Sequence, residues 1–258
     1  QIRMMEEYWY PKLNLGKDVS FVDVFRDKVN LENYPFNTAW GKKFDYFSIQ
    51  NPLSVDNDEK VSEFFKTTLS EFLKVDKSKI LHIEHDTCHA AYALYGSPIR
   101  DKNTLVVTAD AWGDDLSATL SIFDGNKINR VKQTNHKDFQ LARIYRYTTL
   151  VLKMLSNEHE YKVMGLAPYH NSSKTQEVEK ILENMQSLNG LDFSFNSDIK
   201  NIYHHLNEKL MNFRFDHIAS GLQSFTEKIL VKWFSNAITE YNSKAVVYSG
   251  GISMNVKA

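Results

Sequence analysis

Three consecutive residues, Asp124-Gly125-Asn126, restrict the fold of this chain more than any other stretch. They separate two strand-like runs, residues 116–123 and 127–133, and so short a turn returns the chain antiparallel to itself. Residues 80–84 and 104–109 read as two earlier strands, and residues 245–249 as a last one ending at Gly250-Gly251. Residues 139–155, 174–188 and 217–241 carry apolar side chains at helical spacing, the last run broken only by a tolerated Gly221. Strands interleaved with helices place the chain in the α/β class. The hairpin makes its sheets mixed, flanked by helices, rather than wholly parallel.

The amino-terminal part is less regular. Residues 1–57 are rich in aromatic side chains, from Trp9 to Phe47, and suggest packed irregular structure with a strand at 44–49. Residues 58–75 have helical spacing behind an Asp-Asn-Asp cap region. Residues 189–201 are the expected lobe junction or surface excursion. Residues 1–78 are expected to form a variable part and residues 79–258 the core that carries the site. The chain starts at Gln1 and stops just beyond the Gly-Gly turn, so it reads as a piece of something longer.

Charge and composition exclude several classes. The 258 residues, 42% hydrophobic and 24% charged, suit one large domain or two lobes of a globular protein. A net charge of −1 gives no bulk attraction to nucleic acid or to an anionic membrane, so neither is an expected partner. Any anionic substrate must then be held by local groups. No run approaches the roughly 18 apolar residues of a membrane span. The single cysteine, Cys88, rules out an internal disulfide framework and suits a reducing, cytoplasmic setting.

His85-Asp86-Thr87-Cys88-His89 carries the clearest chemical signal. If a helix begins by about Asp86, imidazoles four residues apart share a face and can reach one ion. Neutral imidazole nitrogens hold a divalent ion at about 2.0–2.1 Å, with oxygen ligands supplied from elsewhere. A helix N-terminus also disfavours their protonation. The plainer alternative is a pair of hydrogen-bonded histidines at a helix start. The zincin pattern His-Glu-x-x-His fits poorly, because Asp86 is one methylene short of the Glu that serves as base and no third histidine follows. Cys88 lies off the shared face and reads as a small buried hydrophobe.

Three further segments qualify. Asp110-Ala111-Trp112-Gly113-Asp114 follows an apolar strand, at whose carboxyl end side chains face a ligand crevice. There Asp110 could complete a metal shell and Asp114 could orient a hydroxyl or a second ion. The alternative is an ordinary acidic turn in which Gly113 adopts an unusual backbone angle. Residues 160–169, Glu-Tyr-Lys-Val-Met-Gly-Leu-Ala-Pro-Tyr, fit neither a clean helix nor a clean strand. They read either as an active-site loop with Lys162 facing an anion or as a packed connection. After the last strand, Gly250 and Gly251 let the backbone approach a nucleotide, with a helix N-terminus to follow and Asn255 close by.

Taken in order, these motifs resemble the nodulation-type O-carbamoyltransferases. That family's metal-transfer domain looks like the tRNA threonylcarbamoyladenosine synthase fold, within the actin-like/sugar-kinase/heat-shock ATPase superfamily. Glu84 to Ala91 is similar to Glu-His-His-x-x-His-Ala-x, and Asp110 to Asp114 to Asp-Gly-x-Gly-Asp/Glu. Residues 160–169 match their counterpart nearly letter for letter. The helix with Ala219, Gln223 and Glu227 resembles Ala-x-x-x-Gln-x-x-x-Glu, and Ser249 to Asn255 resembles Ser-Gly-Gly-x-x-x-Asn. Asp86 stands where the pattern has a second adjacent histidine, Ala111 where it has a glycine, and His170 where a glycine is common.

The resemblance implies an enzyme that uses carbamoyl phosphate and ATP to form carbamoyladenylate and passes the carbamoyl group to an acceptor hydroxyl on a small molecule. It implies an iron- or zinc-like divalent ion held by His85, His89 and Asp110. Asp114, Lys162, Gly250, Gly251 and Asn255 are expected near the nucleotide. A histidine-bearing element before Gln1, a further aspartate ligand after Ala258 and then a carbamoyladenylate-forming domain are expected in the longer protein. A sugar-kinase-like or threonylcarbamoyl-transferring enzyme on the same fold is one alternative, and a non-catalytic nucleotide-binding fragment is another.

Overall fold

The computed structural model describes Glu63, Lys66, Thr67, residues 69–169 and residues 172–258. The chain divides into two compact units, Gln1–His82 and Ile83–Ala258. In the first, the described residues up to Leu73 are helical, as the spacing over 58–75 predicts. A 3-10 turn, Lys77–Lys79, follows, capped by the Asp76 carboxylate accepting from the Ser78 N–H at 2.8 Å. The expected strand at 44–49 lies outside the described residues.

The second unit is built on a four-stranded mixed sheet. β1 (Thr104–Gly113), β2 (Leu116–Phe123) and β3 (Ile128–Asn135) form an antiparallel meander. The β2–β3 turn is built on Asp124, Gly125 and Asn126. Gly125 takes a φ of +98°, and the Asp124 carboxylate accepts from the Asn126 and Lys127 N–H groups at 2.9 Å each. β6 (Val246–Ser249) joins the other side of β1 in parallel, giving the order β3-β2-β1-β6. Because β1 and β6 run the same way, Ser249 pairs with Thr108 and their carboxyl ends lie side by side. That end carries Asp110 and the Gly-Gly turn.

Helices cover both faces, so both alternations of β1 are buried. Leu105, Val107 and Ala109 face a core formed with α2 (Leu141–Val151) and the long α6 (Phe215–Tyr241). Val106 faces the opposite way, packing with Val247 beneath α1 (His85–Tyr95). The floor under α1 is also lined by hydroxyls, with Thr104, Thr108, Ser117, Thr119 and Ser121 all buried. Three shorter helices complete the unit: α3 (Glu160–Leu166), α4 (Ser173–Glu183) and α5 (Ile202–Leu210).

Several expectations need correction. Residues 80–84 form no strand: Leu81 and Ile83 are 82% and 60% exposed, and a strand needs a ladder partner that no described strand supplies. The helix expected over 174–188 stops at Glu183, and residues 186–189 become β4 (Gln186–Asn189). β4 pairs antiparallel with β5 (Asp192–Phe195) around Gly190 at φ +60°. Residues 189–201 are therefore no lobe junction: the hairpin drives Phe193 into the core, edge-on to Phe139 and Trp233 at 4.7 and 5.1 Å. Residues 160–169 are not a loop either, but α3 followed by a 3-10 turn, Ala167–Tyr169, that holds Pro168 beyond the helix end.

Candidate metal centre

The site starts where α1 starts. Glu84 has extended backbone angles and turns its carboxylate away to Arg130 and Thr87, so the helix begins with His85. His85 and His89 then stand one turn apart on one face, ring centroids 4.6 Å apart and nearly perpendicular. Asp110, near the end of β1, reaches up from below. Its Oδ2 lies 3.2 Å from His85 Nε2 and 3.0 Å from His89 Nε2, and the two Nε2 atoms are 3.0 Å apart.

These three atoms make a nearly equilateral triangle. Ligand atoms about 2.0–2.2 Å from a common ion stand about 3–3.5 Å from one another, so the donor set and its spacing fit a divalent ion. The outer contacts fit as well. His89 Nδ1 lies 3.3 Å from the Ser249 hydroxyl at the end of β6, which suits an Nδ1–H donor and leaves the Nε2 lone pair for a cation. Asp110 Oδ1 accepts from the Ala111 N–H at 2.6 Å. Burial alone would push the Asp110 carboxyl up, but that N–H and the two imidazoles outweigh it and hold it below the usual range. Among the described residues this is the one group of three such side chains able to share an ion.

Gly113 and Asp114 also meet His85. A Cβ on Gly113 would overlap the His85 ring, and the Asp114 carboxylate accepts from the His85 N–H at 2.8 Å. Gly113 does not carry the unusual backbone angle; Asp114 and Asp115 do, at φ 49° and 68°. Asp86 points away from the His85–His89–Asp110 triangle. It is fully buried on the hydroxyl floor, where the Thr108 hydroxyl donates to it at 2.6 Å and burial pushes its carboxyl up. A zincin-type base at Asp86 is thereby excluded. Cys88 is exposed, contrary to its reading as a buried hydrophobe, because the face of α1 it occupies turns away from the sheet.

A cleft of about 420 Å³ opens beside Asp110. One face of α2 supplies Tyr145 and Arg146, α3 supplies Glu160 and Tyr161, and the Gly-Gly turn supplies Gly251 and Asn255. Gly250, at φ +108°, lets β6 turn directly against Ala109, where a Cβ would strike the backbone. A Cβ on Gly251 would stand 2.8 Å from Asp110 Oδ1. Asn255 is locked to Gln223 of α6 by two reciprocal bonds of 2.9 Å. Gln223 in turn accepts from the Tyr145 hydroxyl at 3.1 Å and donates to Glu227 at 2.7 Å.

Of the residues singled out in the sequence, the structure brings His85, His89, Asp110 and Asp114 together, with Gly251 and Asn255 on the adjoining cleft. Lys162 stays outside it. Its exposed amine lies 2.9 Å from His159 Nε2 and over the Tyr161 ring. The residues that sequence reasoning misses are Tyr145 and Arg146. On an amphipathic helix they look like any partly solvated face, and only the cleft that α2 and the Gly-Gly turn line together reveals them.

Residues 40–258 match the family described as carbamoyltransferase N-terminus. The chain belongs to this carbamoyltransferase family. It is 25% identical over 204 residues to the uncharacterized protein MJ1058 of Methanocaldococcus jannaschii, covering 72% of this chain and 33% of that relative. A second protein of that organism, MJ1051, is 26% identical over 73% of this chain and 37% of its own length. The uncharacterized protein sll1178 of Synechocystis is 25% identical over 71% of this chain and 32% of its own. The chain thus spans about a third of the length of these relatives. No helix among its described residues is long and apolar enough to cross a membrane.

Proposed function

We propose that the protein moves a carbamoyl group from carbamoyl phosphate, through a carbamoyladenylate made with ATP, to the hydroxyl of a small-molecule acceptor. In this reading His85, His89 and Asp110 hold a divalent ion, iron or zinc. The observation that carries it is the Nε2–Nε2–Oδ2 triangle at the mouth of a ligand-sized cleft, in a chain of the carbamoyltransferase family. A bound ion supplies Lewis-acid chemistry toward a phosphate or carbonyl oxygen.

The chain's own groups bind and orient. Arg146, on the cleft wall, takes the anion-binding role expected of Lys162. Gly251, lacking a Cβ, lets a ligand approach Asp110, and the Gln223 pairing fixes which way the Asn255 amide faces. The same motifs support placing the sheet in the actin-like/sugar-kinase superfamily, with a carbamoyladenylate-forming domain elsewhere in the longer protein. The free, exposed Cys88 suits a reducing cytoplasm.

The test is acceptor labelling by the full-length protein with ATP and radiolabelled carbamoyl phosphate. Label should appear on hydroxyl acceptors, diphosphate release should require carbamoyl phosphate, and His89→Ala should abolish labelling. ATP consumption without carbamoyl phosphate would favour a kinase-like enzyme, and no turnover at all would favour a binding module.

A further inference from the structure

We infer that Asp114 and Gly113 form a latch that presets His85 for its ion, with Asp114 a positioning residue rather than a nucleotide contact. The inference rests on the reading of His85, His89 and Asp110 as ion ligands. It begins with the first N–H of α1, that of His85. The first N–H groups of a helix need partners, and the N-cap residue normally provides one from its own side chain. The Glu84 carboxylate is engaged by Arg130 and by the Thr87 hydroxyl in the first turn, and it does not reach the His85 N–H. A capping side chain serves the second or third N–H, so the His85 N–H, the first of α1, needs a partner of its own; it donates to Asp114, 29 residues further along the chain, at 2.8 Å.

The turn that carries Asp114 has a left-handed backbone, which aspartate tolerates better than most side chains. Gly113 pairs with Leu116, so Asp114 and Asp115 form a two-residue hairpin loop, and both have left-handed backbone angles. Such loops favour Asn-Gly and Asp-Gly, so the aspartate at the first position is in keeping with the turn, and glycine would adopt either position freely. Among the described residues, the bond that the Asp114 side chain makes from this position is the one to the His85 N–H. A carboxylate at a helix N-terminus also gains from the positive end of the helix dipole.

The strand end next to the turn then seats the ring. The Gly113 backbone lies so close to the His85 side chain that any Cβ would collide with it. One hairpin therefore fixes both the backbone and the ring of the same ligand. His85 is the ligand that most needs this, since its side chain is 42% exposed against 26% for His89 and 22% for Asp110. His89 has Ser249 and Asp110 has the Ala111 N–H for the same purpose. Supporting contacts of this kind change metal affinity by about 10- to 100-fold when removed.

The experiment compares Asp114→Gly and Asp114→Asn in the full-length protein. Cobalt(II) titration reads the ion, amide hydrogen exchange reads the His85 N–H, and a melting curve reads the fold. Glycine relieves the left-handed backbone and deletes the bond, whereas asparagine keeps both the conformation and an acceptor oxygen. Asp114→Gly should lose about 10- to 100-fold in cobalt affinity, with faster exchange at His85 and a melting temperature close to wild type. Asp114→Asn should stay within a few-fold of wild type in both binding and exchange. Wild-type affinity in Asp114→Gly, or equal losses in both variants, overturns the latch. Wild-type protein that takes up no cobalt, yet shows the exchange difference, overturns the ion reading and leaves the latch standing.

Discussion

Gly113→Ala is the sharpest single perturbation of this site. Residue 113 has no left-handed backbone angle, so alanine meets no conformational penalty and acts through its methyl alone. That methyl would stand 2.7 Å from His85 Cβ and closer still to the ring. Ordinary carbon–carbon contacts are about 3.5–4.0 Å, so the His85 side chain must retreat by roughly 1 Å or more. Ligand distances in a working site hold within about 0.2 Å, so such a retreat removes His85 from the shell. Of the three ligands described, the ion would keep His89 and Asp110, and its affinity should fall at least ~100-fold, or about 2.7 kcal/mol. Stability should suffer less, because the half-exposed ring can swing toward solvent; a loss of about 1 kcal/mol, the low end for overpacking, is expected. Metal titration alongside a melting curve separates the two effects. The control is Gly165→Ala, which meets nothing within 4 Å and should raise helix stability by about 0.5–1 kcal/mol with affinity unchanged. Undiminished metal affinity in Gly113→Ala would refute the placement of His85.

Other sites give independent checks. Gly221→Ala puts a Cβ 2.6 Å from the buried Val178 side chain and 2.9 Å from the Thr175 carbonyl, so it should cost about 1–3 kcal/mol in denaturant unfolding; a gain, as helix propensity alone predicts, would contradict the α4–α6 packing. Gln223→Leu strands the polar groups of Asn255 and Glu227 and should destabilise by about 1–3 kcal/mol, with heightened amide exchange around residues 251–255; unchanged exchange would show that Gln223 does not hold the turn. The guanidinium of Arg130 holds the Glu84 carboxyl down to about 2 from 4.5. Because the folded value is depressed, the pair's contribution is present above about pH 4.5 and is lost as pH falls toward 2. A carbon-13 titration of Glu84 should show that low midpoint and its rise toward 4.5 in Arg130→Met, whereas a wild-type midpoint near 4.5 would deny the ion pair.

What the sequence made legible follows from the range of the forces involved. The β2–β3 hairpin, the long α6 and β6 were readable because turn chemistry and apolar spacing are local. Residues 80–84 misled because an apolar run becomes a strand only beside a partner. Residues 160–169 misled in the other direction: α3 is barely two turns long, too short for its period to emerge from a mixture of charge, glycine and aromatics. α5 was readable and overlooked, since Tyr203, Leu206 and Leu210 fall at i, i+3 and i+7 behind an Asn201 cap. At the site, His85 and His89 announce themselves by a four-residue spacing and Asp110 by its place at a strand end. Lys162 lies off the cleft lining, since the direction of its side chain depends on which face of α3 packs inward. The capping bond from Asp114 joins two segments that only the folded sheet brings together.

Metal content of the full-length protein, measured beside that of His89→Ala, bears most directly on all of this. His89 Nε2 makes two edges of the ligand triangle, 3.0 Å to His85 and 3.0 Å to Asp110, so its loss leaves no pair of nitrogens to share an ion. Purified wild-type protein should carry about one divalent ion per chain, iron or zinc, and the variant essentially none at equal folded content. Equal occupancy in the two proteins would contradict the account.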